Sequence, residues 1–167
     1  WPHDWTKVNA EYSLLENSVV LAAVILQHPF YSFGLPSSVK MGTLGWILGH
    51  ELNHAFYGPA SDYDEYGNKR EWWSEKAGKT FKDRKDCVRS LYKDQIEEET
   101  CMKINENETL NENIADIKGL ETAFEAHRRL LQQTYLKIPQ ANFPCLTEFN
   151  PNKFVFHFHL LYSFCQK

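Results

Sequence analysis

Residues 45–58 read GWILGHELNHAFYG. On a helix, residues four apart share a face, so His50 and His54 can aim two imidazoles at one point. Glu51 lies one step round the turn, close enough to hold a water there but poorly placed to ligate an ion itself. This is the His-Glu-x-x-His spacing, which suits a zinc ion with imidazole nitrogens as ligands and one position left to water. Such an ion lowers the pKa of its water toward ~7 and polarises a carbonyl. Glu51 would then take the proton and pass it to a leaving amine. A random match to this pattern arises in about 1 of 40 shuffled sequences of this His and Glu content, so the pattern needs a third ligand.

The third ligand stands in TLNENIADIKGLETAF, residues 109–124. Glu112 and Asp116 are four apart at the start of a second helical pattern. Glu112 completes a set of two His and one Glu. Asp116, one turn on, is placed to accept a hydrogen bond from a ligand histidine and fix its tautomer. Paired acids on a helix are usually a solvated face. Here the surrounding residues (IADI, LETAF) are apolar, and acids on an apolar helix need a partner.

The totals fit one globular domain. The chain has 167 residues, 43% hydrophobic and 24% charged, with a net charge of -4. That composition argues against disorder, and the charge argues against nucleic acid as a partner. The longest apolar run, VVLAAVIL at 19–26, is too short to span a bilayer. The chain opens WPHDW, without an initiator Met or signal peptide, as a mature form, an excised fragment or an incomplete stretch would. Cys87, Cys101, Cys145 and Cys165 allow three full pairings, and spacing does not choose among them. Asn107-Glu108-Thr109 is a glycosylation sequon, and with the cysteines it points to an extracellular setting.

Working outward, VNAEYSLLENSVVLAAVIL (8–26) predicts two short strands around a polar turn. A loop with Pro29, Gly34 and Pro36 follows. A helix is expected from about Ser38, as N-cap, to Phe56, stopped by Gly58-Pro59. Its Gly42, Gly45 and Gly49 weaken helix propensity but let neighbouring backbone come close. A second helix is expected from about Trp72 to Tyr92. The acidic DQIEEE (94–99) reads as a solvated helix face or loop. A long helix follows from Asn111 until Pro139, with Ile114, Ile117, Leu120, Ala123, Phe124 and Leu131 at helical spacing. Phe154, Phe158, Leu161 and Phe164 predict a last helix, although FVFHFHLL alternates enough to pass for a strand. His3, His28, His127, His157 and His159 have no partner at ligand spacing and read as structural or surface residues. The fold class is α+β: mainly helical, with a small β-sheet near the N-terminus.

GHELNH followed some sixty residues later by NENIAD resembles the neprilysin family of zinc endopeptidases. VNAEYS is similar to that family's Val-Asn-Ala-aromatic-Tyr strand. ILQHPFY is similar to its Leu-Gln-Pro-Pro-Phe segment, and YDEYGNKREWW to its Asp-x-x-Gly loop ending in paired tryptophans. The resemblance covers nearly the whole chain. It implies a zincin, thermolysin-like fold with one zinc held by His50, His54 and Glu112. It makes Glu51 the general base and Asp116 the residue that orients a ligand histidine. It also implies that Asn9, through its side-chain amide, and Ala10, through its carbonyl, bind short peptide substrates as an added strand.

The departures are Glu11 in place of an aromatic, His28 in place of Pro, and Ala55-Phe56-Tyr57-Gly58 in place of Gly-Phe-Asp-Asp. By the resemblance, residues 1–167 form a partial catalytic domain, incomplete at both ends. It lacks the family's Asp-x-His and Arg segment and its N-terminal helical domain, and Cys87 and Cys165 match half-cystines whose partners lie in those parts. Expected partners are therefore short peptides and that missing helical domain, or a membrane-anchored full-length form. The expected function is peptide-bond hydrolysis, slow in this chain; the alternative is a weak or inactive zinc-binding fragment that acts as a peptide- or partner-binding module.

Overall fold

The computed structural model describes residues 7–134. The polar ENS turn folds back two short strands, β1 (Ala10–Ser13) and β2 (Ser18–Leu21), into an antiparallel hairpin. Asn17 takes a positive φ of 43° at the turn. Its side chain accepts from Tyr12 Oη at 2.8 Å and donates to Glu65 O at 3.2 Å, tying the hairpin to a distant loop. A 3-10 turn, Ala23–Leu26, brings Ile25 into the core.

One long helical stretch follows in three parts: α1 (Ser37–Lys40), a π-helical turn (Met41–Gly45) and α2 (Trp46–His54). Such turns recur beside functional sites, because the extra residue re-aims the helix that follows. Here the turn is fixed by buried Thr43, whose hydroxyl lies 2.6 Å from Phe30 O and 2.8 Å from Val39 O. The sequence placed the helix start at Ser38. Pro36 holds the N-cap position instead, and Ser38 is buried in the first turn. Proline pre-sets the backbone angle that a helix entry needs, which displaces the expected cap. The helix stops at His54 rather than Phe56. Gly58, at φ +67°, turns the chain away.

The expected start of the next helix at Trp72 is also corrected: α3 runs Glu75–Tyr92, capped by Ser74, whose hydroxyl accepts from Ala77 N at 3.2 Å. Trp72 and Trp73 are drawn out of the helix because both indoles donate to Ser61 O, at 3.0 and 2.8 Å. Trp73 then stacks on Phe81, and Phe81 on Tyr57. The preceding loop is organised by Asp64, whose Oδ1 accepts from the amides of Tyr66 and Asn68 while Oδ2 meets Arg70 Nε at 2.9 Å. The acidic stretch at 94–99 is a loop, with Ile96 bridged to Lys103.

The long α4 (Leu110–Thr134) crosses α2 at two glycines. A Cβ added at Gly49 would lie 2.6 Å from Gly119 O, and one at Gly119 would lie 2.6 Å from His50 N. The backbones therefore touch, which only glycine at both positions allows. The core gathers here: Val39 and Trp46 from the first helix, Ile25 and Phe30 from the loop, and Leu110, Ile114, Ala115 and Ala123 from α4. The helix expected over 154–164, with His157 and His159, lies outside the described residues, as do His3, Pro139, Cys145 and Cys165. Cys87 and Cys101 are exposed free thiols.

Candidate metal centre

The crossing of α2 and α4 brings three ligand atoms to one point. His50 Nε2 and His54 Nε2 are 3.0 Å apart. Glu112 Oε2 lies 3.3 Å from the first and 3.6 Å from the second. Four-residue spacing on α2 supplies the two imidazoles, and the first turn of α4 supplies the carboxylate. Ligands at 2.0–2.1 Å from a tetrahedral zinc stand roughly 3.3 Å from one another. The three observed separations straddle that value, so the donor set and its spacing both fit zinc. Among the described residues this trio is the one group of three His, Cys or acidic side chains so converged.

Behind the ligands, His50 Nδ1 lies 2.7 Å from Asp116 Oδ1. That bond places the imidazole proton on Nδ1 and leaves the Nε2 lone pair aimed at the ligand point. Asp116 is steadied in turn, because its backbone oxygen accepts from Trp46 Nε1 at 3.3 Å. Burial depresses the basicity of His50, but the Asp116 hydrogen bond and charge, with Glu51 and Glu112, outweigh it and raise its pKa. Among the described residues, His54 has no such bond. Burial lowers its pKa, opposed by Glu112. Both rings are mostly enclosed, with side chains 16% and 22% exposed.

Glu51 is buried at 9% exposure beside the trio. Burial raises its pKa against the opposing effects of His50 and the Tyr12 backbone N–H, and Glu112 and Glu11 push it further up. A carboxylate held out of water, with its pKa moved toward neutrality, is suited to exchanging protons.

The hairpin forms the neighbouring wall. Asn9 O accepts from Ala22 N at 3.1 Å, and the register pairs Ala10 with Leu21. Residues 9, 11 and 13 of the first strand therefore bond to β2, while Ala10 and Tyr12 turn their amides and carbonyls to the opposite edge. That edge faces a cleft of about 440 Å³ lined by Asn9, Ala10, His50, Glu51, Glu112 and Asp116. Ile25, Phe30, Trp46 and Ile47 line its apolar part. All seven residues singled out in the sequence for chemistry or substrate thus share one site. Asn107 stands apart, exposed in the turn ahead of α4. The amide of Tyr12 on Glu51 and the indole of Trp46 behind Asp116 were not foreseen. Strand alternation would have pointed to the first; no sequence signal marks the second.

Residues 9–167 match the model of peptidase family M13. The chain is 39% identical over 132 residues to an endothelin-converting enzyme homolog of Locusta migratoria, covering 79% of this chain and 18% of that one. It is 36% identical over 138 residues to neprilysin-3 of Drosophila melanogaster, covering 81% and 17%. It thus spans less than a fifth of these relatives. Among solved structures, a galactose-containing glycoprotein complex of Haemonchus superposes with a TM-score of 0.84 at 29% identity, over 99% of this chain and 25% of that one. A zinc metalloprotease of Mycobacterium tuberculosis, in complex with an inhibitor, superposes with a TM-score of 0.82 at 26% identity, over 95% and 24%.

Proposed function

The chain belongs to peptidase family M13, and from that premise we propose that it carries the catalytic centre of a zinc metallopeptidase, with His50, His54 and Glu112 as the ligands of one zinc. The observation that carries this reading is the convergence of His50 Nε2, His54 Nε2 and Glu112 Oε2 at separations of 3.0–3.6 Å. Zinc supplies Lewis acidity, which makes water more acidic and a peptide carbonyl more electrophilic.

The chain's own residues do the rest. Asp116 keeps the proton of His50 on Nδ1 and the ring in place. Glu51 accepts a proton from the attacking water and delivers it to the departing amine. Its raised pKa favours delivery, and the Tyr12 amide, which favours the ionised form, favours acceptance. Ala10 offers its amide and carbonyl along the open strand edge, and Asn9 adds its side-chain amide, so a peptide binds as a further strand. Ile25, Phe30, Trp46 and Ile47 offer an apolar surface to a side chain beside the reacting bond. The substrates on this reading are short peptides in an extracellular setting, with Asn107 as the sugar acceptor.

The test is hydrolysis of a short quenched peptide with an aromatic or aliphatic residue after the scissile bond. Activity is expected to vanish with a chelator and to fall by at least the ~10²–10⁴ of a lost general base in Glu51→Gln, with zinc retained. Undiminished zinc-dependent activity in Glu51→Gln would contradict the assignment. Absence of any chelator-sensitive hydrolysis by the 167-residue chain would contradict the peptidase reading of it.

A further inference from the structure

Among the described residues, the cleft is lined by three carboxylates, Glu51, Glu112 and Asp116, and by no lysine or arginine. A divalent ion at the His50, His54, Glu112 point balances two of those charges. A fourth carboxylate, Glu11, stands exposed on the strand that walls the cleft. Alternation along β1 puts its side chain on the same face as that of Asn9. Its charge reaches Glu51, whose other neighbour on β1 is the adjacent Tyr12 amide.

The register fixes what Glu11 would meet. Ala10 presents its amide and carbonyl, and Tyr12 its carbonyl, to the edge that no other described strand covers; the Tyr12 amide is held by Glu51, and Glu11 lies between the two. A peptide added antiparallel along that edge places one residue directly opposite Glu11, in a pair that exchanges no backbone hydrogen bonds. In such pairs the side chains approach most closely, with Cβ atoms about 4.5–5.5 Å apart on one face. Opposite charges in that position attract, and like charges repel. We propose that Glu11 is a specificity-determining residue that selects peptides carrying lysine or arginine at the position facing it on β1. This deepens the peptidase reading and rests on it.

The experiment uses acetylated hexa-alanine peptides in which a single Lys, Gln or Glu is moved through the six positions. They are titrated by calorimetry against the zinc-loaded 167-residue chain and against Glu11→Gln and Glu11→Lys. At one position Lys is expected to bind about two- to five-fold tighter than Gln. That ratio falls to about one in Glu11→Gln, inverts in Glu11→Lys, and shrinks as salt is raised. A Lys preference that survives Glu11→Gln, or the absence of a preference at every position, overturns the assignment of Glu11 while leaving peptide binding intact. Failure of the whole peptide series to bind the parent overturns the peptide-binding reading and this inference with it.

Discussion

The substitution Gly119→Ala probes the site without changing any side chain assigned to its chemistry. The new Cβ would sit 2.6 Å from His50 N, 2.9 Å from His50 Cα and 3.1 Å from Gly49 C, all backbone atoms. Ordinary contact begins at 3.4 Å, so α4 must retreat from α2 by about 0.8 Å. The His50–Asp116 bond and the His50–Glu112 spacing both bridge this crossing, at 2.7 and 3.3 Å. A zinc site tolerates ligand displacements of only about ±0.2 Å, so the shift is roughly four times what the site absorbs. Zinc affinity is expected to fall by at least the ~10–100-fold that loss of a ligand-orienting partner brings. Overpacking adds about 1–3 kcal/mol of destabilisation. The assay is competition for zinc against a chromophoric chelator, with far-UV circular dichroism of the metal-free chain confirming that helix content is kept. Gly78→Ala is the control. It sits in α3 with nothing within 4 Å of its added Cβ, and it should stabilise the chain by about 0.4–1 kcal/mol with zinc affinity unchanged. A Gly119→Ala chain that binds zinc within twofold of the parent would refute the claim that backbone contact at this crossing sets the ligand geometry.

Two further outcomes are expected. His127 is fully buried on α4, and among the described residues neither ring nitrogen has a hydrogen-bond partner. Burial lowers its pKa, so the unfolded chain takes up the proton first as pH falls below ~6.5. The contribution of neutral His127 is complete above that pH and is lost as pH falls toward the folded pKa. Denaturant titrations of the metal-free chain should show stability changing between pH 7 and 5 with a slope that His127→Leu reduces by up to about 1.4 kcal/mol per pH unit, while the share of His54, whose pKa burial also lowers, stays. An equal slope in that variant would contradict this. Asn9→Ala should weaken calorimetric binding of a peptide without metal-binding groups while zinc affinity changes little; equal loss of both would make Asn9 a structural residue.

The sequence made the site more legible than the fold around it. Helical periodicity puts His50 with His54 on one face and Glu112 with Asp116 on another; joining the two pairs rests on the ligand chemistry of zinc and on the resemblance to the neprilysin family. The hairpin was readable from its β-branched runs and polar turn. The element ends were not, because tertiary bonds decide them: Pro36 displaces Ser38 as the cap, and Ser61 O draws Trp72 and Trp73 out of the helix that their neighbours begin. Gly49 announced a close approach but not its partner, since nothing local marks Gly119 as the residue it meets. Backbone groups are the least legible of all. The amide of Tyr12 acts on Glu51 whatever its side chain, and only the register of the two strands reveals where it points. For His127 the sequence leaves structural and surface roles open, and its burial without a polar partner among the described residues emerges only from the packing of α4.

The central claim is that His50, His54 and Glu112 hold one zinc while Glu51 does not. Elemental analysis after exhaustive dialysis at neutral pH tests it most directly, applied to the parent chain, His54→Ala, Glu112→Gln and Glu51→Gln. One zinc per chain is expected in the parent and in Glu51→Gln, with a sharp loss of occupancy in the other two. Zinc bound as tightly by His54→Ala as by the parent would contradict the account.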